Sequence, residues 1–107
     1  MLVEVLTFEG CPHATEALQL VQRVAAATHR TVELRLVNLE ERETAERRFL
    51  GSPSIRVDGR DIEPAAEARR NYAFSCRLYA TPSGLRPLPP EAWVRDALDT
   101  AASSISS

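Results

Sequence analysis

The sequence predicts an α/β domain on three observations. Leu2 to Phe8 is an apolar run, helical spacing begins immediately after it, and strict alternation returns from Thr31 to Asn38. The first run is apolar on both faces except for Glu4 and Thr7, the pattern of a strand in the middle of a covered sheet. Pro12 suits the first helical position, because its missing N–H would have had no partner there. Ala14, Ala17, Leu18, Val21, Val24, Ala25 and Thr28 then recur at three- and four-residue steps, with Gln19, Gln22, Arg23 and Arg30 on the other side. His29 falls at the helix end, where a cation complements the dipole. Val32, Leu34 and Leu36 are expected inward and Glu33 and Arg35 outward, a strand with one covered face. A strand–helix–strand unit of this kind joins parallel neighbours with a right-handed crossover.

Asn38 can cap a second helix from about Leu39 to Phe49, with Glu40, Glu41 and Glu43 early, Arg47 and Arg48 late, and Gly51 as its stop. Its charge run reads as a solvated face. Ser52 to Val57 is a short strand that opens at a proline, followed by an Asp58-Gly59 turn. Residues 60–75 read as a surface excursion of the length of a lid or binding loop. Ser75 to Thr81 is expected to be the fourth strand, with Cys76, Leu78 and Ala80 on one side and Arg77 and Tyr79 on the other. Pro89-Pro90 opens a last helix with Trp93, Val94, Ala97, Leu98 and Ala101 inward, and residues 103–107 are expected to fray. The order is β-α-β-α-β-β-α in one domain, residues 1–102.

A chain of 107 residues, 44% hydrophobic and 26% charged, has the composition of an ordinary globular domain. Thirteen basic residues against fifteen acidic ones form no basic stripe, so nucleic acid is not an expected partner. No apolar stretch has the length of a membrane span, and the start lacks the pattern of a secretory signal. Two widely separated cysteines then point to a reducing, cytoplasmic setting. No resident cofactor or metal is expected. The oligomeric state is not written in the sequence.

The candidate chemistry centres on Gly10-Cys11-Pro12-His13-Ala14. A cysteine where a strand gives way to a helix meets unpaired backbone N–H groups, whose partial positive charge favours thiolate. The plain alternative is an inert buried thiol.

Three features together resemble the thioredoxin superfamily, which includes glutaredoxins and disulfide oxidants. These are the element order, the cysteine at the first strand–helix junction, and Ala45 to Pro53, which looks like that family's approach to its cis-proline. Cys11-Pro12-His13-Ala14 is similar to the Cys-Pro-His-Cys of the disulfide oxidants with its last cysteine replaced. The resemblance implies a four-stranded mixed sheet with helices on both faces. It also implies a cis Ser52-Pro53 bond beside Cys11, with the backbone before Pro53 pairing with a substrate chain. Cys11 would be the nucleophile, Pro12 part of its motif, and His13 an activator whose ring lowers the thiol pKa.

Ala14 removes the neighbouring thiol that would resolve a mixed disulfide. Three chemistries remain. Cys11 works as a single thiol on protein or small thiols, with glutathione or mycothiol as co-substrate; Cys76 is a distant resolving partner; or the fold is a non-catalytic binding module. A strand returning from the far end of the sheet would hold Cys76 more than ~10 Å from Cys11, which favours a buried structural cysteine. A looser resemblance, in Gly51 to Pro53, Asp58 to Asp61 and Cys76 to Tyr79, is to short thioredoxin-like proteins labelled alkylmercury lyase. It implies organomercurial or thiophilic-metal handling by Cys11 and Cys76 with Asp61 or Glu9 as acid.

Overall fold

In a computed structural model, which describes residues 1–106, β1 (Leu2–Thr7) is an inner strand of a four-stranded mixed sheet. It pairs in parallel with β2 (Glu33–Asn38) and antiparallel with β3 (Ser54–Val57), which in turn pairs antiparallel with β4 (Arg60–Asp61). The register sets Val5 beside Leu36 on one side and Ile55 on the other. Because successive side chains alternate, Val3, Val5, Ile55 and Val57 share one face. Against it pack Ala17, Leu20, Val21 and Val24 of α1 (Ala14–Ala27) and Val94 and Leu98 of α2 (Glu91–Ser106).

Both α-helices therefore contribute to one apolar layer, and the expected helices on both faces are corrected. The opposite face is covered by Leu39, Phe49 and Phe74 around Leu6. The segment expected as a second helix, 39–49, forms only a 3₁₀ turn at Glu41–Glu43, opened by a reciprocal Glu40–Glu43 capping box. Leu39 and Phe49 are its buried apolar residues while Ala45 is exposed, too narrow a stripe to hold a helix on the sheet. Arg48, at φ +52, turns the chain out of the helical path.

Other expectations shift by smaller amounts. α1 starts at Ala14 with His13 at its N-cap, so Pro12 precedes the helix. Leu36 is 46% exposed, as β2 is an edge strand and this position lies outside the apolar layer that takes Val32 and Leu34. α2 continues to Ser106 where fraying was expected, and Ser107 lies outside the described residues. No helix among the described residues is long and apolar enough to cross a membrane.

The largest correction concerns residues 58–81. Asp58 and Gly59, with φ of +49 and +85, make the tight turn of a hairpin into β4. The fourth strand is thus Arg60–Asp61, and Ile62 beyond it enters the main core. A 3₁₀ turn at Ala66–Ala68 follows, and residues 73–77 then run as a strap beside residues 49–52. The Ala73 N–H donates to the Phe49 carbonyl at 2.9 Å, the Ser52 N–H to Ser75 at 2.8 Å and the Arg77 N–H to Ser52 at 2.9 Å. Only then come β5 (Tyr79–Thr81) and β6 (Gly84–Arg86), a hairpin separate from the main sheet.

Inside and outside are reversed along the strap relative to the sequence reading. Arg77 and Tyr79 are buried, whereas Cys76, Leu78 and Ala80 are exposed. The Arg77 guanidinium is held by Asp61 at 2.7 and 3.1 Å and by the Ser54 hydroxyl at 2.9 Å, and it lies 4.3 Å over the Tyr79 ring. The Tyr79 hydroxyl donates to the Pro53 carbonyl at 2.6 Å.

The strap fits because residue 51 has no side chain. Gly51 sits at φ +116, and a Cβ there would meet the Cβ of Arg77 at 2.9 Å and the Ser75 carbonyl at 3.0 Å. Gly51→Ala is expected to cost roughly 2–4 kcal/mol, combining left-handed strain with overpacking. Urea denaturation measures this, and a loss under about 0.5 kcal/mol, within the range of an ordinary surface substitution, would mean that the strap does not press on Gly51.

Candidate functional site

Cys11 lies between the end of β1 and the start of α1, a position fixed by three local features. Gly10 takes φ +88, the Cys11 N–H donates to the Phe8 carbonyl at 3.2 Å, and α1 opens two residues beyond Pro12. The sulfur is partly exposed and both cysteines are thiols. It is therefore neither a deeply buried packing residue nor a freely solvated one.

Two hydroxyls and two main-chain N–H groups face it. Burial pushes the Cys11 thiol up, but hydrogen bonds from the Ser52 hydroxyl, the His13 N–H, the Thr7 hydroxyl and the Ala14 N–H outweigh burial and hold the thiol below its ordinary value. The two N–H groups belong to the first turn of α1, where donors have no helical partner. The two hydroxyls are 2.7 Å apart. Thr7 has a single proton, so when it is given to Ser52 Oγ the Ser52 hydroxyl is the side chain left to donate to the sulfur, and each bond polarises the next.

His13 reaches the sulfur through its main chain. Its ring is turned to Glu16, with Nδ1 2.9 Å from the carboxylate. Pro12 is exposed and offers no N–H, which leaves the donors of the following two residues to the thiol. His29 stands at φ +56 just beyond the end of α1, remote in sequence from the thiol.

Ser52 and Pro53 stand on the other side of the sulfur. Their peptide bond is cis. Both residues are buried, and Ser52 is tied to Thr7 by its side chain and to the strap by its main chain. The resemblance implied that the backbone before Pro53 pairs with a substrate chain. Here the Ser52 N–H and carbonyl are already bonded to Ser75 and Arg77 of the same molecule.

Cys76 is the residue bridged to Ser52, in parallel. It is exposed, which corrects the reading of a buried structural cysteine. Nor does Cys76 lie on a strand returning from the far end of the sheet. β3 does run away from the Cys11 end of the sheet, but residues 62–74 carry the chain back before Cys76 is reached. Asp61 does not join the two cysteines, since both its oxygens are bound to Arg77. Among the described residues no group of three or more His, Cys, Asp or Glu side chains is arranged to hold a metal ion.

Two residues of the site lie outside the expected set, and only one of them has a signal in the sequence. Thr7 stands out as a polar residue ending an apolar strand, a signal for a hydroxyl at the strand tip. Phe74, whose ring lies 4.8 Å from that of Phe8, had no signal, because its contact joins segments 66 residues apart in sequence. Comparison of the chain with family models, curated proteins and solved structures finds no match. The class is therefore a mixed α/β domain with a four-stranded mixed sheet, two helices and a hydrogen-bonded thiol at a helix start.

Ser52→Ala removes the leading donor. Its iodoacetamide rate at pH 6 is expected to fall roughly three- to tenfold, with the inflection of rate against pH moving up, and the rate above pH 10 to stay within about twofold. The stability of wild type relative to Cys11→Ser is expected to rise with pH from the folded thiol's lowered pKa to the unfolded value of about 8.5, and to be lost as pH falls through the folded pKa. A wild-type thiol inflecting at the ordinary cysteine value, unmoved by Ser52→Ala, would contradict the hydrogen-bonded thiolate.

Proposed function

We propose that the chain is a thioredoxin-like thiol redox protein in which Cys11 forms mixed disulfides with small thiols such as glutathione or mycothiol. The observation that carries this reading is a partly exposed free thiol at the start of α1, facing Ser52 of a cis Ser52-Pro53 bond, with its pKa held below the ordinary value. A thiolate attacks a disulfide RSSR at one sulfur, forming Cys11–S–S–R and releasing RS⁻, which takes a proton from water. The Ser52 hydroxyl and the first turn of α1 hold the anion before attack. Pro53 places Ser52 beside it.

The choice of a small substrate over an extended polypeptide rests on the strap. Pairing of a peptide strand with the main chain before Pro53 needs a free N–H and carbonyl at Ser52, and both are taken. A small disulfide needs only the exposed edge of the sulfur. A cytoplasmic setting is part of this proposal, since a reducing pool would return Cys11 to the thiol.

The test is incubation of the reduced protein with bis(2-hydroxyethyl) disulfide, read by intact mass and by digestion without reductant. The expected product is an initial adduct on Cys11, formed fastest above its lowered pKa and absent from Cys11→Ser. An adduct that survives Cys11→Ser and vanishes in Cys76→Ser would overturn the assignment of the nucleophile. No reaction at either sulfur would leave a binding module as the better account.

A further inference from the structure

Cys76 is the second sulfur of the chain, and the main chain sets its side. In a β-bridge the two partners direct their side chains to the same face. Ser52 and Cys76 are such partners, through Ser52 N–H to Ser75 O at 2.8 Å and Arg77 N–H to Ser52 O at 2.9 Å. An independent observation agrees. A Cβ built on Gly51 would meet Arg77, which places Arg77 toward Gly51 and leaves Cys76, its neighbour along the strap, on the other face. The face of Ser52 is the one on which its hydroxyl meets Thr7 and the Cys11 sulfur.

Cys76 is therefore one strand spacing, about 4.8 Å, from the residue that hydrogen-bonds Cys11, and is turned to the same side. The partner expected of a dithiol motif is missing at Ala14, and the strap brings a thiol to the neighbourhood from the opposite direction. The rest of the strap is built to hold that thiol there. Arg77 is buried against Asp61 and Ser54, and Phe74 packs on Phe8 and Phe49. Between these anchors Ser75 and Cys76 are exposed, so the sulfur can turn without unpacking a core.

We infer that Cys76 is the resolving thiol of Cys11. The inference rests on the reading of Cys11 as the nucleophile. In the first step Cys11 takes RS from RSSR and releases RS⁻. In the second, the deprotonated Cys76 sulfur attacks Cys11 Sγ of the mixed disulfide, the bond to SR breaks, and a second RS⁻ leaves and is protonated by water. Two protein thiols are oxidised to one internal disulfide, and RSSR is reduced to two RSH. The chain then carries a two-electron pair whose second member sits on the strap that fills the edge beside Pro53. Its substrate class is a small disulfide.

The experiment compares wild type, Cys76→Ser and Cys11→Ser, each reduced, dilute and mixed with bis(2-hydroxyethyl) disulfide, by intact mass over time. In wild type the adduct is expected to be transient and to give a protein lighter by its thiol hydrogens, with Cys11 joined to Cys76 after digestion. In Cys76→Ser the adduct on Cys11 should last at least ~10-fold longer. Equal persistence in the two proteins would overturn the inference while leaving Cys11 as nucleophile. If no adduct forms in either protein, the reading of Cys11 fails instead, and oxidation with copper phenanthroline decides the pairing separately. There, an internal Cys11–Cys76 disulfide in the dilute protein supports the juxtaposition. Thiols left free or joined between chains overturn it.

Discussion

The guanidinium of Arg77 ties together the strap, β3 and β4. It is 2% exposed and makes a two-oxygen contact with Asp61, a hydrogen bond to Ser54 and a stacking contact with Tyr79. Burial alone would weaken its charge, but the hydrogen bond to Asp61 and the facing groups Tyr79 and Glu63 hold its pKa above the ordinary value. Taking an ion out of water is costed in several kcal/mol, and only such paired geometry offsets it. Its Nε alone lacks a protein partner. The pair defines a register, with Arg77 against Ser54 and Asp61, whatever it adds to net stability.

That register is what builds the site. With Arg77 inward and paired to Ser54, the main chain of Ser75 to Arg77 closes on Ser52, and Cys76 is left outward. Ser52, held from one side by the strap and from another by Thr7, then presents its hydroxyl to Cys11. The thiol's other donors come from an unrelated source, the first turn of α1. Two pieces of secondary structure and one loop thus converge on a single sulfur.

Most of the frame was legible in the sequence, for the reason that it is local. The apolar run of β1, the stripe of α1, the Asp58-Gly59 turn and the last helix each follow from spacing within a dozen residues. The segment 39–49 misled because charge placement at both ends favours a helix, while burial, which decides, is limited to Leu39 and Phe49. The strap was illegible for the converse reason. Alternation from Cys76 to Ala80 puts the apolar Leu78 opposite the charged Arg77, so inward and outward are assigned backwards unless the carboxylate of Asp61, 16 residues earlier, is known to wait for Arg77. Thr7 and Ser52 were each visible, but their 2.7 Å contact spans 45 residues.

The strap occupies the main chain before Pro53, which both closes that edge to other chains and sets Cys76 beside Ser52. Amide hydrogen exchange measures it directly. The Ser52 and Arg77 N–H groups are predicted to exchange ~10²-fold or more slowly than unstructured amides, and to gain that protection together. Exchange of both at the rate of the exposed Glu9 and Gly10 amides would mean that the edge is open and that the arrangement of the two thiols described above does not exist in solution.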